Sequence, residues 1–336
     1  MDRINAAIAL NRNVLYPAYV MIRSLVRNNN SYPIYLYVLH SELNAEDFKF
    51  LQDALMRGAS AENYIEFIKI DSSKVSGLPC TQTWSLEMYY RLMLPELLGD
   101  KIDRILYLDV DIIVNKDIYD FYSMDFEGNL LIASKDMVSD SILARDEAVE
   151  DNAEPEYRIW HTFFNNLSKK GMTYFCSGIL LMNLLKLKEE YTFKKYMEIF
   201  NTIVHKVQFP DQDLLNYVHY RQVKLVDELQ IGLYASTAHE MGMTYEDVRM
   251  NVSILHFAGP AKPWTINLIR YDIQKVWWDY AKDAPFYREL LEMVFYHSMV
   301  SRLAEEKIQL LKTENEELRG LLNKCQVIIQ NLSSGI

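Results

Sequence analysis

The stretch Arg104-Ile-Leu-Tyr-Leu-Asp-Val-Asp-Ile-Ile-Val114 is almost continuously apolar and is interrupted by two carboxylates, Asp109 and Asp111. It predicts a buried strand, in which residues i and i+2 point the same way, so that both carboxylates face together while Val110 packs behind them. Ligands of open α/β sheets lie outside the carboxyl ends of the strands, where this stretch turns polar. Carboxylate oxygens suit magnesium or manganese, which often bridge to phosphate groups. The stretch therefore predicts a metal site, and a merely solvated strand end is the alternative.

Strands and helices alternate on both sides of this stretch, which indicates an α/β fold with a mainly parallel sheet. Runs of branched and aromatic residues predict the strands, and helical spacing behind capping residues such as Asn44 and Ser85 predicts the helices. The predicted strands lie at 4–10, 34–39, 64–70, 130–134, 175–182 and 253–257, and the predicted helices at 17–27, after Asn44, at 85–98, at 192–206 and from Pro210 onward. The polar, irregular segment 140–170 predicts a lid or a substrate-facing insertion.

Composition and charge exclude several classes of protein. The chain has 336 residues, of which 50% are hydrophobic and 24% are charged, an ordinary balance for one large α/β domain or two smaller ones. Its net charge of -11 argues against a general nucleic-acid binder, which needs a basic face. The three widely spaced cysteines form no Cys-x-x-Cys pair, so neither a disulfide framework nor a zinc site is expected. The first residues are too polar for a secretory signal and no apolar run reaches membrane-spanning length, so we expect a cytoplasmic protein.

A second stretch with chemical character, His256-Phe-Ala-Gly-Pro-Ala-Lys-Pro-Trp264, directly follows a predicted strand. The imidazole of His256 could complete a metal site begun by the two aspartates. Gly259 would let the backbone approach a phosphate, and Lys262 would supply a point charge to it. Taken singly, these residues also fit a core histidine, a turn glycine and a solvated lysine. Because the chain has no Gly-x-Gly-x-x-Gly and no Walker loop, phosphate binding would rely on a metal and backbone groups.

A third signal is Asp211-Gln-Asp213, which follows Pro210 at the start of a predicted helix. Asp211 could simply be a helix N-cap. Gln212 is the more informative residue, because a cap explains only Asp211. Asp136 ends a predicted strand and could face the same crevice.

In this order, and with Phe175-Cys-Ser-Gly178 between them, these motifs resemble glycosyltransferase family eight over about residues 3–290. The subgroup that the chain resembles most is that of the bacterial lipopolysaccharide galactosyl- and glucosyltransferases, with glycogenin as a more distant relative. The resemblance implies a GT-A type domain, a Rossmann-like nucleotide-diphospho-sugar transferase fold. It also implies transfer of glucose or galactose from UDP-glucose or UDP-galactose to a glycan or glycolipid acceptor, with retention at the anomeric carbon.

The resemblance further implies roles for individual residues. Manganese, or else magnesium, would be held by Asp109, Asp111 and His256, and Gly259 and Lys262 would belong to the diphosphate loop. The other residues implied to contact the donor or the reacting carbon are Ala9, Asn11 and Asn13 at the uridine, Val110 of the Asp-Val-Asp motif, Arg91 and Asp136 in the sugar pocket, Asp211 beside sugar and acceptor, and Gln212 beneath the anomeric carbon. The chain departs from the family pattern at Asn11 and Val14, where an acid and a stacking tyrosine are frequent, and at Cys176, where an asparagine is frequent.

The mechanism must explain retention. Hydrolases retain configuration with paired carboxylates, but Gln212 is an amide and a poor nucleophile. We therefore hypothesise same-face attack by the acceptor, with an oxygen of UDP taking its proton and Gln212 stabilising the cationic carbon. One alternative is a metal-dependent nucleotidyltransferase, which would need a basic acceptor site. The other is a degenerate transferase domain that acts as an assembly or binding protein, against which the intact metal and lysine positions argue.

The C-terminal segment is of a different kind, because its apolar residues alternate steps of three and four. The a positions are Ile308, Asn315, Leu322 and Ile329, and the d positions are Leu311, Leu318, Cys325 and Leu332. One asparagine at an a position favours a parallel two-stranded coiled coil, and hence a homodimer. The alternative is an amphipathic helix folded back on the main domain. The chain is thus predicted to comprise a transferase domain, 1–290, and a C-terminal helix, 298–333.

An aromatic stretch from Tyr271 to Tyr280, which includes Trp277 and Trp278, leaves a peripheral membrane role open. Few lysines accompany these residues, and a basic face is typical of membrane-surface helices. Core packing of a helix is therefore the favoured interpretation of this stretch.

Overall fold

The computed structural model describes residues 2–59, 62–80, 85–145, 153–265 and 271–333. These residues divide into two units, Met1–Ala284 and Pro285–Ile336. The strands of the first unit are β1 (Ile4–Ala9), β2 (Ile34–His40), β3 (Tyr64–Lys69), β4 (Arg104–Leu108), β5 (Ile112–Val114), β6 (Leu131–Lys135), β7 (Phe175–Asn183), β8 (Val223–Val226), β9 (Ile231–Tyr234) and β10 (Ile254–His256). Its helices are α1 (Leu15–Asn28), α2 (Ala45–Met56), α3 (Leu94–Leu98), α4 (Tyr119–Ser123), α5 (Met137–Ala144), α6 (Pro155–Ser168), α7 (Leu184–Glu190), α8 (Phe193–Ile203), α9 (Pro210–His219), α10 (Ala235–Glu240), α11 (Tyr245–Asn251) and α12 (Lys275–Ala281).

Two sheets organise the first unit. The larger has the strand order β3-β2-β1-β4-β7-β6-β8, and the smaller has the order β5-β10-β9. β1 pairs in parallel with β2 and β4, and β2 with β3, whereas β7 runs antiparallel to both β4 and β6. The residues of β1 are almost all buried, as expected for a strand covered on both faces. The predicted α/β class is confirmed, but the sheet is mixed because of β7.

The prediction of one strand from Arg104 to Val114 is wrong. β4 ends at Leu108, and a turn at residues 109–111 leads into β5, which belongs to the other sheet. The backbone N–H of Asp109 still donates to the carbonyl of Gly178 at 2.8 Å, whereas the carbonyl of Asp111 accepts from the N–H of Phe257 at 2.9 Å. A turn between two sheets, not the pleat of one strand, therefore brings the two carboxylates together. Val110 is half-buried within this turn and does not pack behind them as a strand residue would.

The segment 140–170 is largely helical, so the prediction of an irregular insertion is wrong for its described part. α5 and α6 account for most of it, and residues 146–152 lie outside the described residues. Pro155 stands in the first turn of α6, where its missing N–H costs nothing. Trp160 and Phe164 of α6 are buried together with Leu143 and Tyr174. Several polar residues of α6 are exposed, among them Glu156, Thr162 and Asn166, which is why the composition suggested a loop.

Local capping explains where other elements begin. Asn44 caps α2 through a reciprocal capping box with Asp47, as predicted. Ser85 precedes a 3₁₀-helix, Leu86–Met93, which continues into α3. The predicted helix 85–98 is therefore a 3₁₀-helix followed by a short α-helix. Asn183 and Thr192 cap α7 and α8.

The aromatic stretch is a core element. Val276, Trp277 and Tyr280 of α12 are buried, which agrees with the favoured interpretation. The second unit consists chiefly of α13 (Tyr287–Ser333), a helix of 47 residues. In the part of the chain that the structure describes, no helix has the length and apolarity that crossing a membrane requires.

Candidate active site

Three side chains from different elements converge where β4 ends. Asp109 follows β4, Asp111 precedes β5, and His256 is the last residue of β10. β10 pairs antiparallel with β5, which sets His256 opposite Ile112 and next to Asp111. One potential ligand atom from each of Asp109, Asp111 and His256 lies within 4.8 Å of the other two. The structure therefore brings together the three residues that the sequence suggested for a metal.

The residues present fit a divalent cation. Two carboxylates and an imidazole suit manganese or a similar first-row ion. The backbone of Gly178 leaves space for two of these side chains, because a Cβ atom on Gly178 would lie 2.7 Å from Oδ2 of Asp109 and 2.7 Å from Cε1 of His256. Only glycine at this position of β7 allows the carboxylate and the imidazole to approach as they do.

Strong electrostatic coupling surrounds Asp111. Its carboxylate forms an ion pair with the ammonium of Lys262, and its Oδ1 lies 3.2 Å from Nε2 of His256. Burial alone would raise the pKa of Asp111, but Lys262 and His256 hold it well below its usual range. Burial alone would lower the pKa of His256, but Asp111 above all, with a contact to Cys176, raises it to about 10. Lys262 also donates to the carbonyl of Phe257 at 2.7 Å, which fixes the lysine at the start of its loop.

Arg91 links Asp109 to a second acid, Asp211. It comes from the 3₁₀-helix Leu86–Met93, and its buried guanidinium lies 2.7 Å from Oδ1 of Asp109 and 3.3 Å from Oδ2 of Asp211. Its guanidinium carbon lies 4.3 Å from the ring centroid of Tyr107, whose hydroxyl donates to Asp109 at 3.0 Å. Burial raises the pKa of Asp211 against the opposing effect of Arg91. One arginine thus holds two carboxylates from distant parts of the chain.

The amide of Gln212 is fixed on both sides. Its Nε2 donates to Oδ2 of Asp136 at 3.0 Å, and its Oε1 accepts from the backbone N–H of Ser177 at 2.9 Å. Asp136 in turn caps α5 by accepting from the N–H and the hydroxyl of Ser139, at 3.0 and 2.9 Å. Gln212 is only half-buried, so a face of this fixed amide remains accessible.

The N-cap interpretation of Asp211 is wrong. The cap position of α9 is Phe209, and the side chain of Asp211 contacts Arg91 and, at 3.2 Å, the hydroxyl of Ser177. The carboxylate that anchors the start of α9 is instead that of Asp213. It accepts from the backbone N–H groups of two preceding residues and from the side chains of two aromatic residues, namely Gln208, Phe209, Trp160 and Tyr174.

The residues suggested for the nucleotide lie at the carboxyl end of β1. Ala9 ends β1, which is the parallel neighbour of β4. Asn11 caps a short 3₁₀-helix by accepting from the N–H of Asn13 at 3.0 Å, and its amide donates to Glu87 at 3.1 Å. Glu87 stands on the same 3₁₀-helix as Arg91, so this end of the sheet is joined to Asp109. Gly259 has a φ of 81°, which glycine adopts readily.

Sequence reasoning missed four residues of the site. Tyr107 contacts Asp109, Ser177 holds Gln212, Gly178 leaves the space described above, and the ring of Tyr234 lies edge-on to His256 with centroids 5.3 Å apart. The small residues at the start of β7 were a usable signal, because a strand that opens with Cys-Ser-Gly leaves space where other strands place bulk. No comparable signal marked Tyr107, an aromatic residue of the predicted strand 104–114, or Tyr234, which lies outside every predicted strand.

Comparison with known proteins gives a consistent result. Residues 5–267 match the sequence model described as Glycosyl transferase family 8. The chain is similar to the lipopolysaccharide 1,2-glucosyltransferase of Escherichia coli (strain K12), at 26% identity over 265 residues, which cover 78% of this chain and 72% of that relative. It is also similar to the lipopolysaccharide 1,3-galactosyltransferase of Salmonella typhimurium, at 25% identity with 78% and 73% of the two chains covered.

Solved structures share the architecture. The galactosyltransferase LgtC, solved in complex with donor and acceptor sugar analogs, has a TM-score of 0.67 at 22% identity and covers 84% of this chain and 96% of its own. The glycosyltransferase GlyE of Streptococcus pneumoniae TIGR4 has a TM-score of 0.57 at 19% identity, with 89% and 64% covered. At these identities the likeness shows the fold, and the predicted GT-A type fold is confirmed.

Proposed function

The chain belongs to glycosyl transferase family 8, and we propose that it transfers glucose or galactose from a UDP-sugar to a glycan or glycolipid acceptor with retention of configuration. The relatives named above act on lipopolysaccharide, which supports an acceptor of that class. The observation that carries the proposal is the cluster of Asp109, Asp111 and His256 beside the fixed amide of Gln212. A glycolipid acceptor would lie at the cytoplasmic face of a membrane, and the protein would associate peripherally with that face.

Asp109, Asp111 and His256 would hold manganese, or magnesium in its place. Bound there, the ion would supply Lewis-acid stabilisation of the negative charge that develops on the leaving diphosphate. Lys262 would add a preorganised positive charge, because its ion pair with Asp111 and its bond to the Phe257 carbonyl already hold it beside the cluster. Gly259, with its left-handed backbone, would let the loop amides approach the diphosphate.

The remaining residues would position the donor. Ala9, Asn11 and Asn13 would contact the uridine together with Val110, since all follow the ends of the neighbouring strands β1 and β4. Arg91, Asp136 and Asp211 would line the sugar pocket, where several acceptors and one guanidinium can bind hydroxyl groups.

Retention would follow from same-face attack by the acceptor, whose proton passes to a diphosphate oxygen. Gln212 is an amide whose Oε1 already accepts from Ser177, so it would stabilise the cationic carbon and would not form a bond to it. Asp136 and Asp211 each already accept at least two hydrogen bonds or ion-pair contacts, which weakens them as nucleophiles. Mass spectrometry of the enzyme quenched during turnover tests this, and a glycosyl adduct on either aspartate would contradict it.

The direct test is calorimetric titration with UDP, UDP-glucose and UDP-galactose, each with and without manganese. We expect metal-dependent binding of UDP. Slow hydrolysis of one of the two UDP-sugars would identify that sugar as the donor. Asp111→Asn should lose the metal-dependent part of binding, whereas Asp120→Asn, at an exposed aspartate of α4, should bind as the wild type does. A wild-type protein that binds no UDP under any condition would instead favour the degenerate-domain alternative.

We further propose that the chain comprises a transferase domain, 1–290, and a dimerising helix, 298–333. The support is the exposure of the heptad seam in α13. Its seam residues Ile308, Leu311, Leu318 and Leu322 are 53%, 53%, 61% and 60% exposed. A second copy of the helix would cover this seam, and Asn315 at an a position would fix a parallel register. The side chains of Cys325, Ile329 and Leu332 lie outside the described part of the structure.

A further inference from the structure

The imidazole of His256 is held at both ring nitrogens. Its Nε2 lies 3.2 Å from Oδ1 of Asp111, and its Nδ1 lies 3.7 Å from Sγ of Cys176. His256 is 5% exposed and Cys176 is 1% exposed, so the contact between ring and sulfur is shielded from water. Cys176 is the second residue of β7 and His256 is the last residue of β10, so strands of two different sheets form this contact.

A histidine nitrogen that binds a metal must present its lone pair, so the other nitrogen of the neutral ring carries the proton. Such histidines almost always donate that N–H to an acceptor, which fixes both the tautomer and the orientation of the ring. In His256 the nitrogen on the side of Asp111 is Nε2, so with a metal bound there the remaining proton would be on Nδ1, on the side of Cys176. Among the residues that the structure describes, no other side chain or carbonyl is a hydrogen-bond partner of Nδ1.

We propose that Cys176 is a positioning residue for the metal site, whose sulfur accepts the Nδ1–H of His256 and so directs Nε2 toward the metal. The inference rests on the proposed function, because it requires that the cluster bind a divalent cation. Cys176 would thus affect metal binding without contacting the metal, by fixing the orientation of the His256 ring.

The surroundings of the sulfur support an acceptor role. The backbone N–H of Gly178 also points at Sγ, at 3.4 Å, so two N–H groups converge on one sulfur. The ring of Tyr234 packs edge-on against His256 on the same side of the site. A sulfur acceptor would hold the ring without the strong polarisation that a carboxylate gives, so it would orient His256 toward a metal more than it would strengthen the bond to it.

The competing interpretation is that Cys176 is a small buried apolar residue that fills space, as free cysteines commonly do. Two substitutions separate the interpretations. Cys176→Ala removes the acceptor and Cys176→Ser keeps one, while both lose a similar volume. The matched control is Cys80→Ala, because Cys80 is an exposed cysteine.

The measurement is the dissociation constant for Mn²⁺, read from the electron paramagnetic resonance signal of the free ion, with and without UDP. We expect Cys176→Ala to weaken Mn²⁺ binding by about 10–100-fold, the range seen when the partner of a ligating histidine is lost. Cys176→Ser should retain most of the affinity, and Cys80→Ala all of it. Thermal unfolding of each variant shows that it is folded.

Retained affinity in Cys176→Ala, or a loss in Cys176→Ser as large as that in Cys176→Ala, would overturn the proposal and leave a packing role. Either result would leave the proposed function intact, because the wild type would still bind the ion. A wild type that binds no Mn²⁺, with or without UDP, would instead contradict the proposed function itself.

Discussion

Gly178 lies so close to Asp109 that a Cβ atom on residue 178 would stand 2.7 Å from Oδ2 of that carboxylate. The same atom would stand 2.7 Å from Cε1 of His256. Carbon atoms meet at about 3.5–4.0 Å in favourable contact, so one added methyl group must push at least one of the two proposed metal ligands away. Gly178 of β7 therefore contributes to the site because it has no side chain, which leaves space for Asp109 and His256.

We accordingly expect Gly178→Ala to weaken Mn²⁺ binding at least about tenfold, comparable with losing a partner of a ligand, and to lower sugar transfer with it. The control is Gly320→Ala in α13, where an added Cβ meets nothing within 4 Å. That substitution should leave Mn²⁺ binding unchanged and stabilise the helix by about 0.5–1 kcal/mol. Equal Mn²⁺ affinity in the Gly178→Ala protein would show that the site tolerates the displacement.

Arg91 should matter for folding as well as for the site. Arg91→Met leaves Asp109 and the buried Asp211 without their shared cation, and loss of one partner of a buried ion pair costs about 3–5 kcal/mol. Arg57→Met removes an ion pair with Asp53 whose partners are 45% and 43% exposed, so we expect a cost below about 1 kcal/mol. Urea unfolding of both variants gives the comparison. Similar losses in the two would show that the Arg91 network contributes little to stability.

The sequence was informative where residues are unusual for their surroundings. It suggested Asp109, Asp111 and His256 because two carboxylates inside an apolar run, and a histidine that opens a glycine- and proline-rich loop, are hard to explain by packing alone, and the structure brings these three side chains together. The capping box at Asn44 was likewise readable, because its partners lie within one turn.

The sequence was insufficient where contacts between residues far apart in the chain determine the structure. Asp211 looked like a cap because nothing near it in the sequence reveals that Arg91, from a distant part of the chain, will form an ion pair with it. The end of β4 at Leu108 could not be predicted, because the apolar pattern of the sequence continues into β5 while the chain passes to another sheet. The helix α6 was missed because burial of Trp160 and Phe164 depends on a neighbouring cluster, which a polar composition conceals.

His219 should make stability depend on pH. Its Nε2 lies 2.7 Å from the Tyr196 hydroxyl and its Nδ1 lies 3.3 Å from Oε1 of Gln222. Burial lowers the pKa of His219 from 6.5 to about 4. The unfolded chain therefore binds a proton before the folded chain does, and the contribution of His219 is fully present above pH 6.5 and is lost as the pH falls toward 4.

At about 1.4 kcal/mol per pKa unit, this loss amounts to roughly 3 kcal/mol across that interval. We expect His219→Gln to flatten the decline in the free energy of unfolding by about that amount, whatever its effect at neutral pH. His205→Gln, at an exposed ring, should decline as the wild type does. Parallel declines of the wild type and His219→Gln would mean that His219 does not carry the pH dependence.

Two adjacent leucines of α13 test the proposed dimer. Leu310 and Leu311 are 60% and 53% exposed, but only Leu311 occupies a d position of the heptad seam. Leu311→Asp would place two facing carboxylates in a layer that association buries, and burying an unpaired charge costs several kcal/mol. Leu310→Asp makes the same change in helix propensity one residue away, outside the seam. Sedimentation equilibrium should therefore find dimers for the wild type and Leu310→Asp and monomers for Leu311→Asp. Dissociation by both substitutions would point to a broader apolar contact, and a monomeric wild type would mean that the seam is covered by something other than a second copy.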